Sequence, residues 1–414
     1  MDRAGGKGCA VPGEPTTPRG VPRLLAAVVL LIASVTAAAC GAGTSPTASG
    51  GPTSSPASSL GPWQGTLTAD PLPAPVQSLR AVACPVARRC WAVGSTTATA
   101  RSSAGPALVA SADGGATWTP EAVPTAVGYL SAIACASVRA CTAVGQVGLS
   151  GVGPGAVVTT TDGGATWALQ TVPAGTSDVT AVACRPGGRC TALGVVAGRV
   201  TTLVPSSAGP WLPTGPLPPA VSVATSLACT DGDHCWATAT QAVDVGHVIG
   251  VVAVTSDGGT TWALQQVPVG TGALQGIDCT RGTSADGHAT GSGASCTAVG
   301  TTATVLAGTR TGQAVVLTSA DGGRSWTSDP VTATAADLLA VSCAAGPCAA
   351  VGTAVASAPK AGLVVLAASG GGPAAVWRSA TVAPVALPLT GVDCVSLSAC
   401  VVVGESVSAR LSSG

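Results

Sequence analysis

The stretch "SADGGATW" at residues 111–118 sets the reading of the chain, because it comes back three times. "TTDGGATW" spans 160–167, "TSDGGTTW" 255–262 and "SADGGRSW" 319–326. Each has a hydroxyl residue, an Asp, two glycines and a Trp in one order. An Asp side chain bonds nearby backbone N–H groups in a tight turn, and Gly tolerates positive φ. A Trp then buries a large ring beside the turn. A calcium loop is the rival reading, but a hard cation wants several clustered oxygens and each box brings one carboxylate. The boxes are therefore read as structural turns, with Asp113, Trp118, Asp162, Trp167, Asp257, Trp262, Asp321 and Trp326 as their fixed points, and no metal or cofactor is expected.

Cysteine keeps the same beat. Of 16 cysteines, fourteen fall into seven close pairs: Cys84 with Cys90, Cys135 with Cys141, Cys184 with Cys190, Cys229 with Cys235, Cys279 with Cys296, Cys343 with Cys348 and Cys394 with Cys400. An apolar run ends at each first cysteine ("LRAVAC", "LSAIAC", "LQGIDC", "LTGVDC"), and another begins at most second ones ("CWAVG", "CTAVG", "CAAVG"). The C-x5-C spacing does not suit structural zinc. A disulfide across each hairpin does suit it, since directly opposed strand residues lie within disulfide reach. Trp211 and Trp377 stand where degenerate boxes are expected. A period of about 50 residues with four short strands per unit is a repeat architecture. It predicts an all-β, seven-bladed β-propeller of four-stranded blades, one disulfide per blade. The last unit stops at "ARLSSG", so Trp63 and "QGTLTADPLP" are expected to complete its sheet from the other end of the chain and remove the open edge.

The boxes resemble the Asp-box, or BNR, repeat of sialidases, related glycosidases and photosystem assembly-factor propellers, over roughly residues 60–414. The resemblance implies that each box is the turn between the third and fourth strands of a blade. The sialidase members use an arginine triad, a Tyr–Glu nucleophile pair and an acidic Asp. This chain has three glutamates, Glu14, Glu121 and Glu405, and a single tyrosine, Tyr129. A triad of Arg80, Arg199 and Arg310 is conceivable, but no family motif aligns with it.

Composition excludes other classes. The 18 basic residues balance 18 acidic ones, and only Lys7 and Lys360 are lysines, so a nucleic-acid partner is not expected. The leader runs from a basic stretch into "LLAAVVLLIASVTAAA" (24–39) and ends at Cys40. That order resembles a bacterial lipoprotein signal, although Ala37 stands where the family prefers Leu. The division expected is a signal peptide over 1–39, a lipidated Cys40 with a Ser/Thr/Pro/Gly linker over 40–60, and the propeller over 61–414. Cleavage by ordinary signal peptidase, giving a secreted protein, and a retained membrane helix are the alternatives.

Alternating strand direction puts the cysteine hairpins and boxes on one face. The opposite face is the expected ligand side, carrying Arg80, Arg101, Tyr129, Asp178, Arg199, Asp244, His247, Arg310 and Lys360. At the inner-strand position of Arg80 the other repeats have Ser131, Thr180, Thr225, Gln275, Leu339 and Thr390. With so few Glu, Tyr and His, the function expected is a monomeric, non-enzymatic binding or assembly scaffold, held at the outer face of the cell membrane, for a protein or glycan ligand. A divergent, sialidase-like glycoside hydrolase is the alternative.

Overall fold

The computed structural model describes residues 66–98, 103–148, 153–207, 209–244, 247–283, 289–302, 305–306, 309–310, 313–331, 335–344, 348–354, 362–367, 377–380, 388–396 and 398–412. Cys40, Trp63, Arg101 and Lys360 lie outside them. The first described element is β1 (Thr66–Pro71). Blade 1 follows: β2 (Val76–Val86), β3 (Arg89–Thr96), β4 (Pro106–Ser111) and β5 (Thr119–Pro120). Blade 2 is β6 (Val127–Cys135), β7 (Cys141–Val147), β8 (Gly155–Thr160) and β9 (Ala168–Leu169). Blade 3 is β10 (Thr176–Cys184), β11 (Cys190–Val196), β12 (Arg199–Pro205) and β13 (Trp211–Pro216). Blade 4 is β14 (Val221–Cys229), β15 (Cys235–Asp244), β16 (His247–Thr255) and β17 (Ala263–Gln265).

Blade 5 begins with β18 (Thr271–Thr283) and β19 (Ala289–Thr302). A separate ribbon of β20 (Val305–Leu306) and β21 (Thr309–Arg310) interrupts it before β22 (Ala314–Ser319) and β23 (Thr327–Asp329). Blade 6 is β24 (Ala335–Cys343), β25 (Cys348–Ala354), β26 (Gly362–Ala367) and β27 (Trp377–Ala380). The chain ends with β28 (Leu389–Ser396), β29 (Ala399–Gly404) and β30 (Val407–Ser412).

The blades are antiparallel meanders, and the fold is an all-β propeller. The expectation of seven like blades is corrected: six are self-contained, each made from one continuous run of chain. The remaining four-stranded sheet is composite, in the order β1-β30-β29-β28, with strands from both chain ends and no DGG turn. The physical reason is that the chain enters the ring on an outermost strand, so the last unit lacks its own fourth strand and borrows β1, Thr66 opposite Ser412 and Pro71 opposite Val407. Inner strands β2, β6, β10, β14, β18, β24 and β28 each touch the next, and β28 touches β2, so the ring closes.

Small residues shape the core. Between blade 1 and the closing sheet, Leu79, Val82, Ala92, Val109 and Trp118 pack on Val401 and Val403. The "AVG" that ends so many second strands has a steric cause. A Cβ on Gly94 would lie 1.9 Å from the Ser78 carbonyl oxygen, and one on Gly145 2.0 Å from that of Tyr129. Each first strand bulges there, with register shifts at Leu79/Ala81 and Leu130/Ala132, so its backbone presses on the second strand.

All seven cysteine pairs are disulfides, one in each blade and one in the closing sheet, with Cα atoms 4.0–4.1 Å apart. In six of them the two cysteines face each other in the ladder, as Cys135 faces Cys141 and Cys394 faces Cys400. Cys90 corrects the expectation that every pair is directly opposed. The register shifts between Ala83 and Val86, so Cys84 is not the ladder partner of Cys90, and pairing resumes at Val86 opposite Arg89. The physical reason is Pro85, which has no N–H to give the ladder and lies in the resulting bulge. Cys90 is in register with Ser111 of β4, and its disulfide to Cys84 forms all the same, across a Cα separation of 4.1 Å. The polar insert between Cys279 and Cys296 lengthens its hairpin. Pairing resumes beyond that disulfide at Gly282–Thr290 and Thr283–Ala289.

Candidate functional site

The four DGG turns share one bonding scheme. In the turn after β8, Thr160 Oγ1 donates to Asp162 Oδ1 at 2.8 Å and accepts the Gly164 N–H at 2.9 Å. Thr166 donates its N–H to Oδ1 at 2.9 Å and its hydroxyl to Oδ2 at 2.6 Å. Gly163 and Gly164 take φ of 79° and 92°. The Thr166 hydroxyl and amide hold the Asp162 carboxyl down to about 2. Asp113, Asp257 and Asp321 repeat the pattern with Thr117, Thr261 and Ser325. Each carboxylate is thus spent on its own turn.

The tryptophans after these turns reach back to the preceding unit. Trp118 Nε1 donates to Ser408 Oγ of the closing sheet at 2.9 Å, Trp167 to Glu121 Oε2 of blade 1 at 2.5 Å, and Trp262 to Thr202 Oγ1 of blade 3 at 2.8 Å. Burial among these rings pushes the Glu121 carboxyl up, against the pull of the Trp167 indole N–H. Trp326 is buried too, and among the described residues its indole N–H has no acceptor. Trp211 and Trp377 open the fourth strands of blades 3 and 6, where degenerate boxes were expected, and both are buried.

On the face opposite the hairpins, three of the expected ligand residues form a run across blades 1–3. The exposed Arg80 guanidinium lies over the half-buried Tyr129 ring, 5.1 Å from its centroid. Tyr129 pairs in register with Gln146, whose amide donates to the Ser177 carbonyl at 3.4 Å and bonds the Asp178 carboxyl. Burial pushes Asp178 up, with the Val179 N–H and Gln146 working against it. At the position of Arg80, Ser131, Thr225 and Thr390 instead donate to the next inner strand's carbonyls, of Val179, Leu274 and Leu79. Arginine at that position makes no such bond and covers the neighbouring ring. Beside the run lies a groove of about 480 Å³ between Gly153–Pro154 and Val172–Ser177.

The other expected residues do not join this run. Arg199 is exposed at the start of β12 and donates to the Leu217 carbonyl at 3.3 Å. Asp244 and His247 face each other in register at the β15–β16 turn, and Arg310 pairs with Val305 in the extra ribbon.

A second cluster was not anticipated. At the hairpin end of the channel, a cavity of about 270 Å³ is lined by every inner strand. The residue before each first cysteine borders it: Ala83, Ala134, Ala183, Ala228, Asp278, Ser342 and Asp393. The three polar ones are on adjacent units, and each bonds the next inner strand. Asp278 Oδ2 accepts the Cys343 N–H at 2.7 Å, Ser342 Oγ the Cys394 N–H at 3.0 Å, and Asp393 Oδ2 the Cys84 N–H at 2.5 Å. Burial pushes Asp278 up, and burial plus the Asp278 charge pushes Asp393 to about 6 against the Cys84 amide. The signal was visible in "LQGIDC", "LLAVSC" and "LTGVDC", where a polar residue replaces the Ala of "AVAC".

The ring of meander blades around a channel defines a β-propeller. No protein-family model matches the chain, and no curated protein sequence matches it. Solved structures do share the fold. The propeller described as YCF48 bound to D1 peptide superposes with a TM-score of 0.54 at 14% identity, covering 84% of this chain and 97% of that one. Virginiamycin B lyase from Staphylococcus aureus gives 0.57 at 11% identity, covering 84% and 99%. A microbial sialidase, Hadza Hz136, gives 0.44 at 12% identity, covering 73% and 65%.

Proposed function

We propose that the protein is an extracytoplasmic binding propeller of the Asp-box type, anchored through Cys40, that takes an extended protein segment on the face opposite its cysteine hairpins. The observation that carries this reading is the Arg80–Tyr129–Gln146–Asp178 run beside its groove. A cation, an aromatic face, an amide and a carboxylate in sequence suit a peptide of mixed polarity, and the groove is large enough for a few side chains. A solved propeller with a peptide bound is in keeping with it.

The test is a photo-crosslinking residue in place of Tyr129 in the full chain, in its native membrane. A discrete adduct that is lost in Arg80→Ala and Asp178→Ala variants supports the reading. Adducts unchanged in both variants refute it.

One observation favours a second reading, a glycoside hydrolase: two half-buried carboxylates at one channel mouth, with Asp393 raised into the range of a general acid. Against it, both carboxylates already accept N–H bonds from the neighbouring strand, and the cavity is below the usual size of a ligand pocket. Hydrolysis of aryl glycosides that disappears in Asp393→Asn would establish it.

A further inference from the structure

The hairpin face carries charge that the reading above leaves unused. The tips of three consecutive hairpins, on blades 1, 2 and 3, hold Arg88 and Arg89, then Arg139, then Arg185 and Arg189. Arg89 is engaged, lying over the Trp91 ring and donating to the Gly163 carbonyl at 3.1 Å. Arg88, Arg139 and Arg189 are exposed and Arg185 is half-buried. Among the described residues none of these four has an ion pair. On the same face Asp113 and Asp162, ionised within their own turns, offset two of these five positive charges and leave the arc basic. The acidic hairpin tip, with Asp231 and Asp233, belongs to blade 4 and ends the basic arc.

The chain enters the ring on this face. Cys400, at the hairpin, pairs with Leu411, and the next residue, Ser412, pairs with Thr66. Thr66 is therefore at the hairpin end of the closing sheet, the sheet that adjoins blade 1 and its arginines. Residues 41–65, which connect Cys40 to Thr66, contain no charged residue.

We propose that the hairpin face of blades 1–3 docks on anionic phospholipid headgroups. The propeller then leans on the membrane by the edge nearest its tether, blade 4 tilts away, and the Arg80–Tyr129 run faces outward. This rests on the reading of the chain as exported and anchored at Cys40. Guanidinium groups suit phosphate oxygens, and unpaired ones give up no ion pair to meet them. An Arg near an anionic bilayer surface strengthens binding about fivefold.

The test is co-sedimentation of the chain from residue 41, which holds every described strand and no acyl group. One set of vesicles is phosphatidylcholine, the other phosphatidylcholine with roughly one third phosphatidylglycerol, in about 0.1 M salt. Binding is expected only to the anionic vesicles, and it should weaken as salt rises. Each of Arg88→Gln, Arg139→Gln and Arg189→Gln should lower partitioning about fivefold, and the three together with Arg185→Gln at least about a hundredfold. Arg199→Gln, which removes the same charge from the opposite face, should leave it unchanged. Disulfide mapping of the variants checks that they fold. Equal binding to both vesicles, no binding to either, or full binding by the fourfold variant overturns the proposal. Acylation of Cys40 is read separately, from the mass of the N-terminal peptide of the cellular protein, so the anchor and the docking face fail independently.

Discussion

Asp393 couples the ring's closure to pH. Its carboxylate accepts the Cys84 N–H across the contact between β28 and β2, the first and last inner strands to be joined. Burial, with the Asp278 charge adding to it, raises the group to about 6 from its ordinary value of 3.8. The folded state therefore holds the proton where the unfolded chain has released it. The contribution of this group to stability is full below about pH 4, falls as pH rises through the folded value near 6, and is level above it. A gap of about two units corresponds to about 3 kcal/mol. That figure is an upper bound, because Asp393 keeps part of its surface open to the channel and water there screens its charge.

Asp393→Asn keeps an acceptor for the Cys84 N–H and removes the charge. For a ring of about 350 residues the entropy of unfolding is about 0.7 kcal/mol/K, so 3 kcal/mol is about 4 °C in Tm. Scanning calorimetry at several pH values between 4 and 8 reads it. The variant should match the parent near pH 4 and exceed it by up to about 4 °C above pH 7. A Tm difference that is the same at every pH, or a variant less stable than the parent at pH 8, would show that no buried charge is being carried there.

Gly259 sits at φ +85° with its Cβ position 2.4 Å from Thr202 Cγ2, next to the hydroxyl that accepts the Trp262 indole, so Gly259→Ala should cost about 3 kcal/mol in denaturant unfolding. Thr390→Val removes the bond to the Leu79 carbonyl at 2.7 Å and should cost about 1 kcal/mol in the same assay. Non-reducing peptide mapping should link the seven cysteine pairs and no others. Losing Cys279–Cys296, which closes the longest loop, should cost about 3 kcal/mol, against roughly 2 for each of the rest.

The repeat was legible because each blade spends residues on tasks that few others perform: cysteines at a hairpin, Gly at a crowded crossing, and Ser/Thr, Asp and Trp in a turn. The borrowed strand was legible in outline, from the missing box after Cys400. What the sequence hid was direction. Each inner strand bulges between its start and its cysteine, which breaks the two-residue alternation that says which side chains share a face. Arg80 and Tyr129 were both assigned to the ligand face, yet their stacking depends on how far two blades are rotated about the ring. Asp278 and Asp393 stood in plain view before their cysteines, but the channel that brings them together is made by all seven inner strands at once.

The borrowed strand also orders events in time. β1 is made before the six self-contained blades, and its partner β30 after all of them. Hairpins and their disulfides join residues no more than 17 apart and can form as each stretch emerges. β1 has no neighbour to pair with until residues 407–412 have emerged. Until then the growing chain is an open arc of finished blades, with β1 unpartnered at one end and β30, the strand it pairs with, still to come at the other. Ring closure is thus the step that waits for every blade, and a chain without β30 loses the pairing that makes a ring of the arc.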